Sequence, residues 1–83
     1  MEFNERLKEI MRSRNIKQID LARIAGVSVN TAAGYMKGRF LPGYIAMRNM
    51  AKRLNISADY LLGLTDVPRA AVYHGMEEQD EVD

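Results

Sequence analysis

Apolar residues recur along most of the chain at intervals of three and four, the spacing of a single helix face. Phe3, Leu7, Ile10 and Met11 lie on one such stripe, which predicts an amphipathic helix over 3–14 with Asn4 as its candidate cap. Asn15 ends that helix, and Ile16 is expected to tuck back into the core. Leu21, Ala22, Ile24 and Ala25 form the next stripe, so Lys17 to Ala25 reads as a second helix, broken by Gly26. Ser28 then offers a side-chain oxygen to the backbone N–H of Asn30 or Thr31, which predicts a third helix over 28–36. Lys37 to Gly43 reads as a loop. Gly38 suits a left-handed helix terminus there, and Pro42 suits the first turn of the next helix. That fourth helix, over 43–54, places Tyr44, Met47, Met50, Ala51 and Leu54 on one stripe. Asn55 breaks it, and Ser57 caps a short fifth helix ending near Gly63, with Leu61 and Leu62 buried. The pattern is that of an all-α globule of five short helices, without an internal repeat.

The second and third helices, separated by a short turn containing Gly26, have the pattern of a helix-turn-helix. An ordered series of residues makes the likeness specific. It opens with Arg6-Leu7-Lys8-Glu9-Ile10, continues through Lys17-Gln18 and Leu21-Ala22, and reaches Ala25-Gly26-Val27-Ser28. Thr31, Tyr35, Gly38, Pro42, Ala51, Leu54 and Asp59-Tyr60-Leu61-Leu62-Gly63 come next at matching spacing. Over roughly residues 3 to 64 the chain resembles the phage repressor/Cro-type, or XRE-like, helix-turn-helix family. The resemblance implies a compact five-helix bundle of the lambda-repressor-like type, with the motif at helices 2 and 3. It also implies a regulator that binds double-stranded DNA as a homodimer and needs no cofactor.

Composition narrows the remaining classes. The chain has 83 residues, 47% of them apolar, which suits one small domain. Cysteine is absent, so no disulfide framework or thiolate metal site is available. No apolar run approaches the roughly 20 residues that span a bilayer, and the acidic N-terminus is not expected to be a signal peptide. A cytoplasmic protein without membrane partners is the expectation. The net charge of +1 conceals two regions. Residues 1–70 hold all twelve Lys and Arg against six acidic residues, and residues 71–83 hold five acidic residues and no basic one. A basic globule can bind a polyanion. We place the domain at 1–66 and an acidic tail at 67–83. The tail is either a flexible, solvated end or a segment that brings Val67, Val72 and Tyr73 against the domain or a second subunit.

A recognition helix fits the major groove because the groove, about 12 Å wide, matches a helix with its side chains. Its N-terminal residues meet base edges, which nominates Val29, Asn30 and Thr31. Asn30 can pair with adenine N6 and N7. Val29 can touch a thymine methyl or serve the core or an interface, and the Thr31 methyl can equally pack inward. The resemblance adds Ala33 and Gly34 as outward positions. Here the chain departs from the family, where larger polar side chains are common. Ala32, expected to face the core, stands where a larger aliphatic residue is usual. For phosphates the candidates are Gln18 at the start of the second helix, with Lys17, Ser28, Lys37 and Arg39. The resemblance gives Gln18 its phosphate bond, and free N–H groups at a helix start support it. Tyr35 fits the core, with its hydroxyl able to reach a phosphate at the rim. Arg12 and Arg14 can extend the basic edge. Candidate dimer residues are Tyr44, Ile45, Leu64 and Val67.

Other chemistry finds little support. His74 is the single histidine and has no Ser or second His at a useful spacing, so neither catalysis nor a metal site is expected. Glu77, Glu78, Asp80, Glu81 and Asp83 lack the spacing and turn glycine of a calcium loop. No phosphate-loop signature occurs. The chain is therefore not expected to be an enzyme. A second reading is a protein-interaction module on the same fold, an antitoxin or antirepressor partner, suggested by the bare Ala32-Ala33-Gly34 face and the acidic tail.

Overall fold

The computed structural model describes residues 2–68 as five α-helices. They are α1 (Phe3–Arg14), α2 (Gln18–Ala25), α3 (Val29–Lys37), α4 (Tyr44–Leu54) and α5 (Ala58–Leu61). The all-α, five-helix expectation holds. Among the described residues there is no strand. His74, the acidic cluster, Val72 and Tyr73 lie outside them.

One device ends the first four helices. Asn15, Gly26, Gly38 and Asn55 each follow the last helical residue in the left-handed conformation, with φ of 57°, 74°, 74° and 57°. The next residue then sends its N–H back to a carbonyl five positions earlier. Ile16 reaches Met11 O at 2.8 Å, Val27 Ala22 O at 2.9 Å, Arg39 Gly34 O at 2.9 Å and Ile56 Ala51 O at 3.0 Å. These bonds satisfy carbonyls that the helix end would leave unpaired. Three of the four returning residues are apolar, and each packs against or within the core. The same bond that closes a helix thus also turns the chain inward.

The core takes one fully buried side chain from each of four helices: Leu7, Leu21, Met50 and Leu61. Ala32 from α3 is equally buried, as expected. Helix α2 packs on α3 and α4, α1 on α3 and α5, and α4 on α5. Ala22, Ala25 and Ala32 are small and buried, so the motif helices pack with little side-chain bulk between them.

Several local expectations change. Glu2, not Asn4, precedes α1, and its N–H donates to Glu5 Oε1 at 3.1 Å. Asn4 instead lies inside the helix with its amide against Gly38. Pro42 precedes Gly43, the residue that leads into α4, and so stands outside the first turn. Tyr44 is 76% exposed. At the very start of α4 it projects beyond the core, and the buried stripe runs through Ala46, Met50 and Leu54. Leu62 is exposed because α5 stops at Leu61.

One buried group had no place in the apolar pattern. Arg6 is only 5% exposed. Its guanidinium lies 3.9 Å from the centre of the Tyr60 ring and 3.3 Å from Asp66. Tyr60 first, then Asp66, raises its pKa above the ordinary guanidinium value, against the opposing effect of burial. The cation therefore joins α1 to α5 and to the segment beyond it. That segment also returns to α5 through Ser57 N–H, which donates to Pro68 O at 2.8 Å.

Candidate nucleic-acid interface

The end of α2 sets where α3 starts. Gly26 takes φ +74°, and a Cβ there would stand 3.1 Å from Asn49 Nδ2. That amide donates to Ala25 O at 3.0 Å. Arg53 Nη1 donates to Arg23 O at 3.1 Å and Ile24 O at 3.0 Å. Three terminal carbonyls of α2 are thus held by side chains of α4, so the motif is fastened to the rest of the bundle at its turn. Sequence reading missed both residues, because their partners are main-chain atoms 24 to 30 positions away.

Beyond the turn, Ser28 caps α3. Its Oγ accepts the Thr31 N–H at 3.1 Å and donates to Thr31 Oγ1 at 2.9 Å. Gln18 Nε2 crosses from the first residue of α2 to Val29 O at 3.2 Å. The first turn of the candidate recognition helix is therefore tied at both its cap and its first carbonyl. That is the part which has to be held rigid if bases are to be read there.

Helical periodicity then sorts the surface of α3. Ala32 and Tyr35 face inward. Val29 and Asn30 are exposed, and Ala33 is half-buried one turn on. Lys37 is exposed at the end of the same face, and Arg39, two residues further on, and Lys17, which precedes α2, are exposed as well. Thr31 is half-buried, its hydroxyl already engaged by Ser28.

One expectation needs revision. Gly34 is not a bare outward position but is buried. The Phe40 ring covers it, with Cζ 2.3 Å from where a Cβ would sit. Tyr35 belongs to the core, as expected, 4% exposed, with its ring edge-to-face against Phe40 at 5.7 Å. Arg14 is exposed, and its Nη1 donates to Leu54 O at the end of α4.

The start of α2 is also less open to an anion than the sequence implied. Asp20 Oδ2 accepts the Lys17 N–H at 3.0 Å, which places a carboxylate at that terminus. Gln18 has one amide N–H engaged and retains a second donor. Among the described residues, no group of His, Cys, Asp or Glu could hold a metal ion, and no helix is long and apolar enough to cross a membrane.

The family model HTH_3, helix-turn-helix, matches residues 7–61, which include α2, α3 and the turn between them. None of the curated proteins compared matches the chain. Among solved structures, a transcriptional regulator from Listeria innocua is similar, with a TM-score of 0.71 and 22% identity. The likeness covers 99% of this chain and 78% of that one, and at that identity it speaks for the fold. The chain therefore belongs to the XRE-type helix-turn-helix family of DNA-binding proteins.

Proposed function

We propose that the protein is a sequence-specific regulator of phage or prophage repressor type, acting in the cytoplasm as a homodimer on a double-stranded operator. The observation that carries this reading is the first turn of α3, capped by Ser28 and tied to α2 by Gln18, with Val29 and Asn30 exposed upon it. In this reading Asn30 recognises adenine through its amide, and Val29 and Ala33 make apolar contact with base edges. Lys17, Lys37 and Arg39 lie against phosphates, with the second amide donor of Gln18 adding a polar contact along the same wall.

One such module covers only about 600–1,000 Å² of DNA-facing surface, too little for tight specific binding. Two copies on half-sites about 34 Å apart are the usual solution. Tyr44, Ile45, Leu64 and Val67 are exposed apolar side chains available for pairing. In this reading residues 1–66 form the binding domain and the remainder an accessory tail.

Selection from a randomised duplex library at moderate salt, followed by sequencing, tests the proposal. Enrichment of an inverted repeat is the expected result. Absence of enrichment, with no retention at low salt, overturns it in favour of a module for a protein partner such as an antitoxin or antirepressor. The exposed Leu41, Tyr44 and Ile45 would then be the first surface to probe.

A further inference from the structure

Glycine within a helix is destabilising relative to alanine, so Gly34 needs a reason. The reason is the Phe40 ring. Its Cζ, Cε2 and Cε1 atoms lie 2.3, 2.7 and 2.9 Å from the position a Cβ on residue 34 would take. The ring occupies the space into which any side chain at 34 would project.

That space belongs to the candidate DNA-facing side of α3. Residue 34 is one turn beyond Asn30 and stands above it on the helix surface. Phe40 reaches it from outside the helix. Arg39 N–H donates to Gly34 O at 2.9 Å, which fastens the loop to this turn. Tyr35 meets the ring edge-to-face, the two planes 83° apart. The aromatic is therefore positioned from below, from beside and through the backbone of its neighbour Arg39, yet remains 49% exposed.

We propose that Phe40 is a specificity-determining residue, a base reader supplied by the α3–α4 loop in place of a side chain at position 34. Its target is the C5-methyl group of a thymine in the major groove. Apolar side chains, Phe among them, recognise that methyl by contact. Ala33 and Gly34 offer no hydrogen-bonding group, so this part of the surface reads shape and methyl pattern only. The inference rests on the proposed DNA-binding function.

The test begins with the duplex that the unaltered protein selects. Each thymine in that site is replaced singly by deoxyuridine, which lacks only the methyl. Affinities are measured at fixed salt for the unaltered protein and for Phe40→Ala. One replacement is expected to weaken the unaltered protein about fourfold, the value of one buried methyl, and to leave Phe40→Ala unchanged. Every other replacement should affect both proteins alike.

Gly34→Ala supplies a second arm, since its added methyl displaces the ring without removing it. It should lose the same thymine dependence, and it carries the test if Phe40→Ala loses its helical circular dichroism. If the unaltered protein binds its site but no replacement distinguishes the variants from it, this inference alone fails. If the unaltered protein retains no duplex even at low salt, the DNA-binding reading fails and this inference with it.

Discussion

Ser28 uses one hydroxyl twice, accepting the Thr31 N–H and donating to the Thr31 hydroxyl. It is the residue at which chain direction becomes helix direction. Replacing it with Ala removes the cap and is expected to cost about 1 kcal/mol, read as a lower midpoint in urea or thermal unfolding. The outward neighbour Asn30 should behave in the opposite way. Asn30 is exposed and outside the core, so Asn30→Ala should leave the unfolding midpoint within experimental error. Its effect should appear in the selected sequence, where preference relaxes at one base pair by about 1–3 kcal/mol of discrimination. An unchanged preferred sequence would remove Asn30 from the reading surface. These two residues, two positions apart, were both legible from the chain, because capping and outward placement on a first turn follow from local geometry.

At the scale of elements, the attachment of α2 to α4 matters most. Asn49 and Arg53 hold the last carbonyls of α2, and α3 follows directly from that end. Asn49→Ala is expected to destabilise the fold by about 1 kcal/mol, the net value of one hydrogen bond. The more telling readout is amide exchange. Protection should fall first at the end of α2 and in the turn, before the centre of α1 is affected. Exchange that rises uniformly across the bundle would show that the bond serves global stability and no local fastening. The motif helices themselves could be placed from apolar spacing, since Leu21, Ala22 and Ala25 repeat at helical intervals. Their fastening could not, because a side-chain amide meeting a main-chain carbonyl leaves no pattern in residue types.

For the whole molecule, charge and surface decide the observable behaviour. Lys37 and Arg39 are exposed beside the end of α3. Neutralising either with Gln should weaken binding to all duplexes alike and lower the log–log salt slope by about one. A slope that stays constant would take that residue off the phosphate wall. Ile45 is 63% exposed at the start of α4 and lies off the buried stripe. Ile45→Asp should leave the helical spectrum intact and shift the sedimentation profile toward the monomer. A profile identical to that of the unaltered protein would exclude this position from the dimer contact. Arg6 belongs to this scale too, since it draws α1, α5 and Asp66 together. Its position could have been suspected from its place among Phe3, Leu7 and Ile10, but charge argued the other way. Tyr60, 54 positions later, and Asp66 beyond it make burial of that cation tolerable, through the face of a ring and an ion pair.

The sequence by itself determined the five helices, the residues that end four of them, the Ser28 cap and the burial of Ala32. Each follows from interactions within a few residues, namely helical periodicity, Cβ sterics and side-chain to backbone capping. Family resemblance carried the assignment further, because the order and spacing of many weak signals are specific where none is alone. Tertiary structure decided which atoms from distant segments share one place. It laid Phe40 over Gly34, fastened α2 through Asn49 and Arg53, seated Arg6 beneath Tyr60 and left Tyr44 outside the core. The bare surface expected at Gly34 became an aromatic one for the same reason. A glycine announces that something approaches closely, but only packing in three dimensions selects what does.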